Sequence, residues 1–148
     1  MWYLKFMANV FMCRRRVLWG DSDPAGVIYT PRIFHYAIET VEEWLIKILG
    51  HNWMSLQSDL KLDTPTVKMG CEFFHPLRTG DFVEISLKIE KMGNASIHYS
   101  INGYNEKKVH CFEVKQVSCF VNSKTFKSIP IPHELRSKLE KYQMISND

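Results

Sequence analysis

The sequence predicts an α+β domain in which a five-stranded antiparallel sheet wraps one long central helix. Two observations carry this. Between Thr30 and Gly50 apolar residues recur at three- and four-residue intervals, the pattern of a helix with one buried face. From the end of that helix to about residue 122 the chain reads as strand, in alternating or β-branched runs divided by short turns. A chain of 148 residues supports one core and is too short for two ordinary domains, so 1–148 is taken as a single domain.

Residues 1–12 are read as an N-terminal extension or a misplaced start ahead of the first strand, since Met7 and Met12 both stand just upstream of it. Their apolar run is broken by Lys5 and followed, not preceded, by Arg14, Arg15 and Arg16, the reverse of a secretion signal. It is also shorter than the ~20 residues of a membrane helix, and a soluble cytoplasmic protein is expected. The long helix carries its stripe on Phe34, Ala37, Ile38, Val41, Leu45, Ile48 and Leu49. Thr30 is placed to cap its first amides, Pro31 suits the first helical position and Gly50 fits just past the end.

Four strands are expected to follow as a meander, over Val67–His75, Phe82–Glu90, Ala95–Tyr104 and Val109–Val121. In the second of these Val83, Ile85, Leu87 and Ile89 alternate with Glu84, Ser86, Lys88 and Glu90, so one face is buried and the other wet. A short amphipathic helix over 132–143 closes the chain, with Leu135, Leu139 and Tyr142 on one side. One helix enclosed by such a sheet is the hotdog fold. It leaves an edge strand, so a homo-oligomer, dimer or tetramer, is expected.

The composition, 45% apolar and 24% charged, excludes a disordered chain, and a net charge of +3 is too weak to point to nucleic acid. Cys13, Cys71, Cys111 and Cys119 form no CxxC pair and lack histidines at zinc spacing, so they are expected as free thiols with no metal.

The chemistry concentrates ahead of the helix, in Trp19-Gly20-Asp21-Ser22-Asp23-Pro24-Ala25-Gly26-Val27-Ile28-Tyr29-Thr30-Pro31. Two carboxylates sit there beside helix-start amides that can hold a developing oxyanion, a combination suited to attack on an acyl group. The same residues also serve as ordinary turn and cap chemistry, and from the residues alone both readings stay open.

The run GDSDPAGVIYTPRIF closely resembles the N-terminal motif of the 4-hydroxybenzoyl-CoA thioesterase family, roughly G-D-x-D-P-A-G-[IV]-[VI]-[WYF]-x-P. The likeness continues through Glu43-Trp44-Leu45, Thr64-Pro65, Phe73-x-x-Pro76-Leu77-x-x-Gly80-Asp81 and Met92-Gly93-Asn94-Ala95-Ser96-Ile97, covering about residues 14 to 122. The resemblance implies an acyl-CoA thioesterase without a cofactor, in which Asp23 attacks the thioester carbonyl or activates water and the Thr30 amide holds the oxyanion. It implies that Tyr29 is a substrate-binding residue, which with Pro24 matches the aryl-CoA branch and favours an aromatic acyl group, and that Thr64 lines the acyl pocket across a subunit interface. Thr30 itself stands where the aryl-CoA enzyme has tyrosine. At the turn that binds the CoA phosphates in that enzyme, only Lys91 supplies charge here.

Other candidates are Lys68, Arg78 and Lys88 as surface cations, His35 on the helix, Glu39 and Glu42 on its polar face, and Trp53, Phe73 and Phe74 as pocket aromatics. Arg14, Arg15 and Arg16 cannot all point one way in a strand. Asp21 is expected to hold the loop. Hydrolysis of an aromatic, 4-hydroxybenzoyl-CoA-like thioester is the expected activity. The alternatives are 1,4-dihydroxy-2-naphthoyl-CoA or short-chain acyl-CoA hydrolysis, or a non-hydrolytic module binding acyl-CoA or acyl carrier protein.

Overall fold

The computed structural model describes residues 3–7, for which the backbone alone is considered, and 10–147. Its centre is α1, Thr30–Leu49, lying against a six-stranded antiparallel sheet. The strands in chain order are β1 (Tyr3–Met7), β2 (Val10–Arg16), β4 (Thr66–Phe73), β5 (Phe82–Met92), β6 (Ser96–Asn105) and β7 (His110–Cys119). The short pair β3 (Leu62–Asp63) and β8 (Val121–Asn122) forms a separate ribbon. The five expected strands are all present, and β1, within the segment 1–12, pairs with β2 as a sixth.

The sheet order is β1-β2-β5-β6-β7-β4, which corrects the simple meander. Only β1–β2 and β5–β6–β7 are neighbours in both chain and sheet. β4 lies at the far edge against β7, and the connection over residues 74–81 returns the chain to β5 beside β2. Short connections favour adjacent strands, but this one passes β7 and β6 to reach β5 and carries its own turn, with Gly80 at φ 93°.

The alternation in β5 holds: Val83, Ile85, Leu87 and Ile89 are all fully buried. They join Ile97, Tyr99 and Ile101 of β6 and Phe112 and Val114 of β7 in one apolar core with α1. The buried face of α1 is Ile33, Tyr36, Ala37, Thr40, Val41, Trp44, Leu45 and Leu49. This face is rotated from the expected stripe, for Phe34, Ile38 and Ile48 are only half-buried. Aromatic bulk decides the rotation, because Trp44 meets Tyr99 edge-on at 5.4 Å and fills the centre of the core.

The start of α1 also differs from expectation. Tyr29 occupies the cap position with extended backbone and no side-chain cap bond, and Thr30 is the first helical residue. Gly50 ends the helix at φ 77°, the left-handed conformation that glycine adopts at no steric cost. Between α1 and β4, where strand was expected, the chain forms α2, Trp53–Leu60, capped by Asn52, whose side chain accepts from the Ser55 amide at 2.8 Å. The last helix, α3, runs over His133–Asn147 and is longer than expected. Tyr142 anchors it, accepting from the Phe11 amide and donating to the Leu87 carbonyl.

Candidate active site

The loop between β2 and α1 is built around Asp21. A short 3-10 turn at Trp19–Asp21 buries this carboxylate to 5% exposure, where Oδ2 accepts from the Tyr36 hydroxyl at 2.6 Å and the Leu18 amide at 2.9 Å. Its main-chain carbonyl accepts from the Tyr29 amide, which ties the turn to the helix start. Burial alone would raise the Asp21 carboxyl, but the Tyr36 and Leu18 hydrogen bonds and the nearby Arg15 and Arg32 outweigh it and hold Asp21 below the usual carboxylate range. Arg15 lies over the Tyr36 ring at 3.8 Å and pairs with Glu39. Glu39 is therefore ion-paired rather than free on the polar face, and Asp21 is a structural residue, as expected.

Asp23 is held differently. Its backbone closes a small loop, the amide donating to the Val27 carbonyl and the carbonyl accepting from Gly26, while Oδ1 accepts from the Ala25 amide at 2.9 Å. Gly26 turns this loop at φ 76°, and Arg78 clamps it by donating from Nη1 to the Gly26 carbonyl at 3.3 Å. Ser22 and Thr79 join hydroxyl to hydroxyl at 2.6 Å. The half-buried Asp23 carboxylate thus faces a recess of about 510 Å³ formed with Trp19, Ser22, Pro24 and Thr79. Its Oδ2 has no hydrogen-bond partner among the described residues.

Next to it, at the start of α1, lies a second cavity of about 340 Å³. Val27, Ile28, Thr30, Phe73, Leu77 and Phe112 give it a largely apolar lining, which His75 and Cys111 complete on one side. The Thr30 amide finds no acceptor among the described residues, as a donor at the first helical position should.

The structure brings Asp23, Thr30 and Phe73 to one end of the molecule without placing Asp23 and Thr30 in the same cavity of one chain. Tyr29 is 53% exposed beside them. Thr64 is elsewhere: its hydroxyl accepts from Trp53 Nε1 at 3.0 Å in a separate cavity with Pro65 and Phe126. Lys91 is exposed near the far end of β5. His35 is exposed. Sequence reasoning missed Tyr36, Arg15 and Arg32 as the partners of Asp21, and Arg78 as the clamp on the Asp23 loop. Among the described residues no three His, Cys, Asp or Glu side chains converge as metal ligands, and no helix is long and apolar enough to cross a membrane. Burial pushes the Cys13 thiol up to about 12, so at neutral pH it stays protonated in the core.

The model of the thioesterase-like superfamily matches residues 17–139. The chain belongs to that superfamily. A curated relative, the 1,4-dihydroxy-2-naphthoyl-CoA hydrolase of Prochlorococcus marinus (strain NATL2A), is 29% identical over 135 residues, 74% of this chain and 85% of that protein. A solved thioesterase-superfamily structure from Jannaschia sp. CCS1 superposes with a TM-score of 0.84 at 28% identity, covering 89% of this chain and 92% of that one. A 1,4-dihydroxy-2-naphthoyl-CoA thioesterase from Synechocystis shares the fold at a TM-score of 0.80 and 21% identity, over 88% of this chain and 95% of that one. The protein is thus a thioesterase-superfamily hydrolase with the hotdog fold. The resemblance to the 4-hydroxybenzoyl-CoA family holds at the level of the superfamily.

Proposed function

We propose that the protein hydrolyses an aromatic acyl-CoA thioester to the free acid and CoA. The observation that carries this reading is the juxtaposition of an Asp23 carboxylate with an unpartnered oxygen and a largely apolar cavity headed by the unpaired Thr30 amide. The cavity falls in the range of small-molecule sites, roughly 300–1,000 Å³, and its apolar lining favours a ring over a charged or hydrated acyl group. The relatives named as dihydroxynaphthoyl-CoA enzymes support a fused-ring acyl group over the single ring of 4-hydroxybenzoate.

Asp23 acts either as the nucleophile, forming a mixed anhydride as the CoA thiolate leaves and water later opens it, or as the base that takes a proton from the attacking water. In both routes negative charge develops on the former carbonyl oxygen, and the Thr30 amide, aided by the positive end of α1, stabilises it. Tyr29 packs on the acyl group. Thr64 reaches the acyl pocket from a partner subunit, and Lys91 offers one charge to the CoA phosphates. A hydrolysis screen over aryl-, short-chain and long-chain acyl-CoAs tests the reading. Preference for an aryl ester is the expected result; a short-chain preference, or binding without turnover, would replace it with the corresponding alternative.

A further inference from the structure

The apolar cavity at the start of α1 owes part of its wall to a missing side chain. Gly103 of β6 stands directly opposite Phe112 of β7, on the core-facing side of the strand that it shares with Ile97, Tyr99 and Ile101. Its backbone lies outside the left-handed region, so what the position uses is the absence of Cβ. A Cβ there would stand 2.5 Å from Phe112 Cζ and 2.7 Å from Cδ1, with Cε1 nearer still, against the roughly 3.5–4.0 Å of ordinary carbon contacts. The Phe112 ring therefore lies down on Gly103, in space that any side chain at 103 would take.

A β-bulge holds this arrangement in place. Gly103 pairs with Phe112 and Tyr104 with His110, so Cys111 is an extra residue on β7 with no counterpart on β6. Two consecutive side chains, Cys111 and Phe112, are buried as a result, and both line the cavity. The Cys111 carbonyl accepts from the Phe74 and His75 amides, which ties the end of β4 to the same bulge. Around the ring the core is filled, for Ile85, the partner of Gly103 on β5, and Ile33 of α1 are both fully buried. The open space beside Phe112 is the cavity of about 340 Å³ that it shares with Thr30.

Resting on the thioesterase reading above, we propose that Gly103 sets the depth of the acyl cavity, seating the Phe112 ring on the sheet so that a two-ring acyl group fits. Gly103 is a positioning residue that acts through Phe112. Gly103→Ala would force the ring about 1 Å or more off the sheet to regain normal contact, and with the core filled the ring moves into the cavity. A single ring then fits better than two.

The test uses the full chain with 2-naphthoyl-CoA and benzoyl-CoA. The kcat/KM ratio of the two-ring to the one-ring thioester is expected to fall about tenfold or more in Gly103→Ala, the scale on which an apolar pocket discriminates by size. Adding Phe112→Leu to Gly103→Ala should recover most of the lost ratio, because the smaller side chain vacates the space that the new methyl group claims. A glycine needed for sheet stability alone would lower both activities together and leave the ratio unchanged, and that result would overturn the proposal, as would a double variant no better than Gly103→Ala. Melting temperature checks folding. If Gly103→Ala does not fold, Phe112→Leu alone carries the test: a raised ratio supports the proposal and an unchanged or lowered one overturns it. If the unaltered protein hydrolyses neither thioester, the activity reading fails, while calorimetric titration of 2-naphthoate and benzoate into the same variants still decides the cavity. Naphthoate should then bind the unaltered protein more tightly than benzoate and lose that advantage in Gly103→Ala; no advantage at the outset would overturn the proposal.

Discussion

Asp21 and Asp23 stand two residues apart, and their surroundings assign them opposite work. Asp21 is buried on the Tyr36 hydroxyl and the Leu18 amide, whereas Asp23 spends one oxygen on its own loop and keeps the other for the recess. Asp23→Asn is therefore expected to lower kcat on the order of a hundredfold or more, with stability changed by less than about 0.5 kcal/mol. Asp21→Asn should cost about 1–3 kcal/mol of stability through its buried hydrogen bonds and less turnover. Measuring kcat and melting temperature for both variants checks the division; equal losses in both quantities would show a purely structural loop. A pH dependence follows from the lowered Asp21 carboxyl. A group whose folded pKa is depressed adds stability that is complete above its unfolded pKa and is lost as pH falls through the folded one. The stability gap between the unaltered protein and Asp21→Asn should thus be full at about pH 7 and shrink on acidification through and below the ordinary carboxylate range near 3.9, which urea unfolding at several pH values reads directly.

At the scale of elements, what was legible in the sequence was what is periodic. The α1 repeat and the β5 alternation each follow from one residue pattern meeting one core, and both are seen in the structure. The rotation of α1 was not legible, because Phe34 and Ile38 satisfy the helical spacing as well as Tyr36 and Trp44 do, and the facing Tyr99 decides between them. The edge position of β4 was hidden for a similar reason: strand order is a property of partners distant in sequence. The eight-residue α2 has one fully buried side chain, Leu56, and so shows no stripe. Its cap was visible, however, in Asn52 three residues before Ser55. Asn52→Ala is expected to cost about 1 kcal/mol, read as a lower melting temperature, since it leaves the Ser55 amide without its cap acceptor. The candidate site was legible where it is a contiguous motif, in the loop from Trp19 to Thr30 whose turn and helix start the structure shows. The Arg15–Tyr36–Asp21 network was not, because it joins a strand, a helix and a turn that only folding brings together.

The whole molecule has an open edge. β4 pairs with β7 on one side and with nothing else among the described residues, and it exposes Val67 to 63% and Phe73 to 50%. An apolar edge of this kind invites a second strand. A two-fold axis through the middle of β4 would pair the strand with its own copy in antiparallel fashion, because an isologous contact that sets one residue against a second also sets the second against the first across the axis. That operation lays the Thr66 end of one β4 beside the Phe73 end of the other. It would carry Thr64 of the partner subunit, two residues before β4, toward the cavity that Phe73 and Thr30 line. The separation of Thr64 from Asp23 within one chain is then what a shared site requires. Sedimentation should find a dimer or a larger even assembly, and Gly70→Glu, which sets a carboxylate from each subunit near the axis at a position where a side chain meets nothing within its own chain, should shift it toward monomer. Turnover should fall in step with the dimer fraction across a dilution series. A monomer that hydrolyses thioesters at the full rate would place the whole site within one chain and end this account of Thr64.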